Sequence, residues 1–457
     1  MTKDVDTLLG DPKKAIIAMV VPLAVSYLVT QVNSFADASW CSGLGIEASS
    51  AITTISPTYW MMMSMGMGLS VAAMSTIAFC IGSKNNIKAN RLATQVISLG
   101  LITSVIMSIT MFLLLDPIID FMGAEDVRGM SKTYMLPLLI MSWAPITSSI
   151  LAGIIRAEGA AKKSMMISIS SVIFNMILDP ILIYTLGMGV AGAGWATGIS
   201  ALFSVVLGLS WYARGKTFIK IRPRDLRLYR KDVREILNIA VPRTTESAIS
   251  SGSDMIQRVF IIFVAGTMGV AIYSLAWRYV AMGLIPSLAL GSALIAVCSA
   301  AFGQKDYNKA KIGMNYAVKL ALVVCIALSG FLILFADQLI ILVTYSESMI
   351  ELRPMLAWAL RAFCIIIPFY AMINLGSSIL QTVRKSKKAT VAVLMINALK
   401  LALMSVACLY SYEAIFLALI LSNVVGGIFM ITWAYREVRK YGKTLMGPRD
   451  VDAMITP

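Results

Sequence analysis

Histidine is absent from this chain, and charged residues make up only 14% of it. Without histidine, proton chemistry falls to carboxylates and amines, and a histidine-based zinc site is excluded. Six cysteines are present. Cys41, Cys80, Cys298, Cys325, Cys364 and Cys408 lie in or beside apolar segments without paired spacing. They read as small core residues, not as disulfides or metal ligands. No phosphate-binding loop and no cluster of metal-ligand residues occurs, so an enzymatic reaction has no evident home. The low charge excludes an ordinary soluble globular protein. The N-terminus, MTKDVDTLLGDPKK, is polar and mixed in charge, and no small-residue cleavage site follows the first apolar run. No signal peptide is expected.

What is present is apolar sequence: 58% of residues are hydrophobic and the mean hydropathy is +0.80. A membrane-spanning helix needs ~20 mostly apolar residues. Twelve such segments are predicted, at about 15–36, 51–81, 95–115, 133–155, 165–186 and 191–213, then 236–264, 270–302, 312–335, 354–382, 389–411 and 413–434. The alternation of a β-barrel in pieces of ~10 residues is missing. The expected fold is an all-α integral membrane protein, with the lipid bilayer as its surroundings.

The net charge of +15 would suggest nucleic acid in a soluble protein. Here it follows the loops, and no nucleic-acid partner is expected. Basic residues occupy alternate loops: Lys84, Lys88 and Arg91; Arg156, Lys162 and Lys163; the Arg214–Arg234 loop; Lys305, Lys309 and Lys311; Arg384, Lys385, Lys387 and Lys388; and the tail from Arg436 to Arg449. The intervening loops carry Asp116, Asp120, Glu125 and Asp126, then Asp337, Glu347 and Glu351, then Glu413. The positive-inside rule then places both termini in the cytoplasm.

The two halves repeat. Val21-Pro22 and Val241-Pro242 are offset by 241 − 21 = 220 residues, Gly82 and Gly303 by 303 − 82 = 221, Asp116 and Asp337 by 337 − 116 = 221, and Asn175 and Asn397 by 397 − 175 = 222. SSILAGIIRAEGAAKKS (148–164) resembles SSILQTVRKSKK (377–388). An even number of spans per repeat gives two pseudo-symmetric six-helix bundles of one orientation, an architecture of secondary transporters. The expected division is 1–213 for the first six helices, 214–235 for a basic linker, 236–436 for the second six, and 437–457 for a cytoplasmic tail.

The chemistry concentrates in SSVIFNMILDPILIY (170–184). Asn175 and Asp179 are spaced i, i+4 and project to one helix face. Pro180 removes a backbone donor and frees carbonyl oxygens beside the acid. An intramembrane carboxylate faces a cavity or a partner; a polar helix–helix contact is the alternative. The first helix repeats the spacing with Asn33 and Asp37, although Asp37 also fits an interfacial acid. Two carboxylates in low dielectric cannot both ionise cheaply, so the pair suits a proton or Na⁺. AGAGWATGIS (191–200) adds Thr197 and close-approaching, glycine-flanked backbone. In the second half, Glu246, Asp254 and Arg258 lie on the seventh helix, Arg278 on the eighth, Arg361 on the tenth and Lys400 on the eleventh. Asp254 and Arg258 are placed to neutralise each other, and these charges read either as salt bridges or as a polar substrate surface. Met61–Met63, Met65 and Met67 fit packing or lipid contact, with promiscuous binding as the other use.

GMGLSVAAMSTIAFCIGSKNNIKANR (66–91), FMGAEDVRGMSKTYM (121–135), FNMILDPILI (174–183) and YSLAWRYVAMGLIPSLALGSALIAVCSAAFGQKDYNKA (273–310) together resemble the multidrug and toxic compound extrusion family, and the details are similar to its DinF-like branch. The resemblance covers essentially the whole chain. It implies two lobes around a V-shaped central cleft, and export of organic compounds in exchange for H⁺ or Na⁺. It also implies a cation-coupling site of Asp37, Asn175, Asp179 and Thr197, with the Ala193 carbonyl joining. Archaeal members often carry Tyr one turn before the first Asp. Here that position is Asn33, which adds an oxygen ligand. No cofactor beyond the coupling ion is implied. The expected substrate is a small organic molecule of cationic or amphipathic character, and the expected state is a monomer. The rival expectation is a lipid-linked or anionic-metabolite flippase, using Arg243, Arg258, Arg278, Lys319, Arg361 and Lys400.

Overall fold

The computed structural model describes residues 2–121, 125–222, 226–341, 350 and 352–446. Glu347, Glu351 and the tail beyond Met446 lie outside the described residues. Among those described, regular structure is entirely helical, without strands. The chain separates into unit 1, Met1–Thr244 with Ser299–Gln304, and unit 2, Thr245–Cys298 with Lys305–Pro457.

Short α1 (Lys3–Leu9) buries Val5 and Leu8. Helix α2 (Pro12–Ser42) starts where Asp11 accepts the Lys13 N–H and Pro12 fixes the first turn, the usual N-terminal solution to orphan amide donors. Then follow α3 (Ile46–Gly82), α4 (Asn86–Phe121), α5 (Arg128–Ile140), α6 (Trp143–Ala157), α7 (Ala161–Pro180) and α8 (Gly189–Ala213). Helix α9 (Arg230–Gly266) gives way to α10 (Met268–Gly303) where Gly266 takes φ 61°. Helices α11 (Tyr307–Leu334), α12 (Ala336–Ile341), α13 (Arg353–Cys364), α14 (Ile366–Thr382), α15 (Ser386–Ala407) and α16 (Tyr412–Met446) complete the chain. Among the described residues eleven helical stretches, with α13 and α14 taken together as Arg353–Thr382, are long and apolar enough to span a bilayer, and α5 with α6, counted as one span across a 48° bend, would bring the number to twelve. The uninterrupted run expected at 133–155 is therefore two helices. All six cysteines are free, and five are buried.

The sequence repeat reappears as repeated local geometry. Lys84 and Lys305 both adopt left-handed backbone, φ 59° and 61°. Each is followed by a side-chain cap: Asn85 accepts the Lys88 N–H at 3.1 Å, and Asp306 accepts the Lys309 N–H at 2.8 Å. Gly159 and Arg384 are a second such pair, φ 78° and 58°. There Ala160 N–H donates to the Ile155 carbonyl, and Lys385 N–H to Leu380, the six-to-one bond of a Schellman helix end. A non-glycine residue in this region costs roughly 1–2 kcal/mol. The bond that closes each helix end offsets that cost.

Within unit 1 the connection between α8 and α9 is strapped to its neighbours by its own backbone. Glu158 at the end of α6 is 1% exposed and accepts the amides of Phe218 (2.8 Å) and Ile219 (3.2 Å). Asn90 accepts Lys220 N–H at 2.9 Å and Thr94 accepts Arg222 N–H at 3.2 Å. Arg91 pairs with Asp232 at 2.5 Å, and Lys88 with Glu235 at 2.6 Å. Burial pushes the Glu158 carboxyl up to about 7 from 4.5, against the two amide bonds and Lys163, with Asp4 adding to the rise. A raised folded-state value means the folded protein holds the proton. Its stabilising contribution is full below about pH 4.5 and disappears as pH rises through about 7. Glu158→Gln loses one of the two acceptors at all pH values, but relative to wild type it is expected to gain stability from pH 5 to pH 8, by at most about 3 kcal/mol. Parallel melting curves across that range would contradict the assignment.

Candidate cation site

Helix α2 packs along α7, and α7 along α8. At the end of α7, Pro180 has no N–H to return to the preceding turn, and the helix widens into a π turn, Ile181–Thr185, closed by Leu186 N–H on the Ile181 carbonyl at 2.8 Å. A side chain at position 192 would place its Cβ 2.7 Å from the Leu182 carbonyl, and one at 194 would lie 2.7 Å from the Tyr134 carbonyl. Gly192 and Gly194 thus let α8 lie directly against the π turn and α5.

This packing brings together residues from distant parts of the chain. The Asn33 amide nitrogen donates to Asp37 Oδ2 at 3.0 Å and to Asn175 Oδ1 at 2.8 Å. Asn175 in turn donates to Asp179 Oδ1 at 3.4 Å. Asn175 and Asp179 are 4% and 2% exposed, while Asn33 and Asp37 are half-buried. Three oxygens of this chain of contacts, Asn33 Oδ1, Asp37 Oδ1 and Asp179 Oδ2, are buried without a hydrogen-bond donor. Neither carboxylate has a lysine or arginine partner among the described residues.

Buried polar atoms are ordinarily paired. Three acceptors and no donor, two of them on carboxylates, form a site short of positive charge. Protons on the carboxyls would supply it. So would a hard monovalent cation, for which carboxylate and amide oxygens are the matching ligands. Thr197, on α8, donates its hydroxyl to the Ala193 carbonyl at 3.1 Å. It is not hydrogen-bonded to either acid, so α8 joins the site through packing. Ala193 packs with Cys41 and Ile183, bordered by Leu44, Ile52 and Tyr134.

Several neighbours escaped the sequence. Cys41, Tyr59 and Tyr134 lie within electrostatic reach of Asp37. Tyr134 is delivered by α5, whose placement depends on the bend after Ile140, and no i, i+4 pattern marks it. Tyr184 donates to the Trp40 carbonyl at 2.5 Å, tying the π turn to the end of α2.

The family model MatE matches residues 22–181 and 242–406. This chain belongs to the MatE family. The two matched stretches begin 242 − 22 = 220 residues apart, the offset of the internal repeat. The MatE chain is 24% identical over 232 residues to the multidrug export protein MepA of Staphylococcus aureus (strain bovine RF122 / ET3-1), covering 50% of this chain and 51% of that protein. In this match the chain spans about half the length of the curated relative. Among solved structures it is similar to a MATE protein in complex with MaL6, at 28% identity and TM-score 0.93, covering 97% of this chain and 100% of that one. An outward-facing multidrug resistance MATE transporter gives 28% identity and TM-score 0.92, with 96% and 99% covered. A superfamily transporter from Pyrococcus furiosus, described as having a binding pocket of reverse polarity that suggests a different function, matches at the same identity, coverage and TM-score.

The second half of the MatE chain carries its charges differently. In unit 2, Glu246 is 1% exposed and accepts the Ser377 hydroxyl at 2.7 Å, to which Gln381 also donates. Asp254 pairs with Lys400 at 2.9 Å, not with Arg258 one turn along. Arg361 pairs with Asp337 at 2.7 Å. Arg278, on α10, is exposed. Glu246, Asp254 with Lys400, and Arg361 thus sit in separate contacts, in contrast to the single cluster around Asp37 and Asp179. Met62 is fully buried while Met61 and Met67 are about half exposed, which divides the methionine cluster between packing and surface.

Proposed function

We propose that this protein is a secondary active antiporter of the plasma membrane, exporting small organic compounds in exchange for Na⁺ or H⁺. The observation that supports this most directly is the set of buried, donorless oxygens on Asn33, Asp37 and Asp179. Two carboxyl groups within hydrogen-bond reach of each other bind a cation or protons more readily than they remain empty and charged in an apolar span. Occupancy must favour one conformation over another, or it drives nothing. Asn33 supplies a mechanism for that preference, because one amide nitrogen holds both α2 and α7. Charge capture between Asp37 and Asp179 draws these helices together and repacks the first bundle, expelling substrate as the two halves alternate in access. Thr197 and the Ala193 carbonyl are further oxygen donors on the adjoining helix. Glu246, Asp254, Arg278 and Lys400 serve as polar substrate contacts or internal pairs of the second bundle. The protein acts as a monomer with both termini cytoplasmic and needs no cofactor beyond the coupling ion.

The flippase alternative draws less support, since Lys400 and Arg361 are already neutralised by Asp254 and Asp337. The test is transport in proteoliposomes loaded with a fluorescent organic cation. An opposing Na⁺ or H⁺ gradient is expected to accelerate efflux, and dissipating it to stop net movement. Efflux indifferent to both gradients would exclude antiport.

A further inference from the structure

The strap between α8 and α9 has an inner and an outer side. Its inner side is backbone: the amides of Phe218, Ile219, Lys220 and Arg222 are taken by Glu158, Asn90 and Thr94. Thr217 and Ile219 are buried, at 7% and 1% exposed. Among the described residues, what remains outside is mainly basic. Arg214, Lys216, Lys220, Arg222, Arg227 and Arg230 are exposed, and none of their side chains pairs with a carboxylate among the described residues. Beside them Leu226, Leu228 and Tyr229 are 51%, 40% and 44% exposed. Helices α8 and α9, which flank the strap, are both long and apolar enough to span the bilayer, so the strap lies at a membrane boundary.

We propose that this strip is a docking surface for anionic phospholipid headgroups. Cations that pair with no carboxylate among the described residues, on a backbone held by its own amides, present positive charge without the ordering cost of a free loop. Exposed leucines and a tyrosine next to cations suit the boundary between headgroup and acyl chain. A juxtamembrane Lys or Arg contributes about 1 kcal/mol toward an anionic leaflet, roughly fivefold in affinity each. The surface is distinct from the cation site and independent of what the protein transports.

The test is native mass spectrometry of the full chain titrated with phosphatidylglycerol or phosphatidylcholine. Wild type is expected to retain phosphatidylglycerol preferentially. The variant R214Q/K216Q/K220Q/R222Q is expected to lose at least about tenfold in that affinity. A charge-matched control, K84Q/K305Q/K385Q/K387Q, removes cations spread over three other loops and is expected to lose several-fold less affinity than the strap variant. Equal losses in both variants, or none in the first, would overturn the proposal. A second variant, Leu226→Gln with Leu228→Gln, keeps every cation and covers the case in which the first does not fold. It is expected to weaken phosphatidylglycerol binding while leaving the weak binding of inorganic phosphate unchanged. Phosphate displacing the lipid from wild type at equal concentration would identify a simple anion site instead, and would also overturn it.

Discussion

Replacing Asp179 with asparagine is expected to reduce gradient-driven export at least about a hundredfold while leaving the protein folded, and Asp37→Asn to do nearly the same. Asparagine keeps the size of the side chain and its hydrogen bond with Asn175, but it removes the negative charge. The buried oxygen left without a donor, Asp179 Oδ2, is the one the substitution changes. If that oxygen is where a proton or cation lands, the variant loses the differential affinity that drives the conformational exchange. Moving an equilibrium from 1:99 to 99:1 takes about 5.5 kcal/mol of such preference, and a neutral amide does not supply it. The variant is expected to be no less thermally stable than wild type, because it removes a buried uncompensated charge. Transport assays with purified protein, with the melting temperature measured alongside, check both halves. Wild-type export by Asp179→Asn would remove the acid from the mechanism.

The second large effect is expected at the ion pair of unit 2, and it is asymmetric. Lys400 has a side chain only 13% exposed, whereas that of Asp254 is 57% exposed. Asp254→Asn strands a mostly buried ammonium, and is expected to destabilise by about 2–3 kcal/mol, below the 3–5 kcal/mol typical of a fully buried pair. Lys400→Met leaves a half-exposed carboxylate and fills the space with apolar atoms, so it is expected to cost less than about 1 kcal/mol. The double variant should recover most of what Asp254→Asn loses. Thermal unfolding of the three variants gives the coupling directly. Equal losses for the two single variants would mean that the pair is not what holds Lys400 in place.

Much of this architecture was legible in the sequence because membranes simplify the code. Apolar length gives the spans, and offsets of 220 to 222 residues give the repeat. The i, i+4 spacing of Asn175 and Asp179 gives a shared helix face by periodicity alone. What the sequence could not contain is the packing between helices. Asn33 and Asn175 are 142 residues apart and meet only because α2 lies on α7. Asp254 finds Lys400, 146 residues away, in preference to Arg258 one turn along its own helix. Pro180 signalled a disturbed helix, but not that the chain would absorb it as a π turn. Pro137 and Pro145 flank the break between Ile140 and Trp143, and Pro145 cannot return an N–H to the Met141 carbonyl, but neither says that the run 133–155 would separate into two helices. The segment AGAGWATGIS and the resemblance both point to Thr197, and the geometry gives it a bond to its own helix.

The central claim, that Asp37 and Asp179 form a cation site, is tested most directly by ²²Na⁺ binding to the purified protein, wild type and Asp179→Asn, from pH 5 to pH 9. Saturable binding that weakens as protons are added and vanishes in the variant is the predicted result. Saturable binding that survives unchanged in Asp179→Asn would place the ion elsewhere and contradict the account.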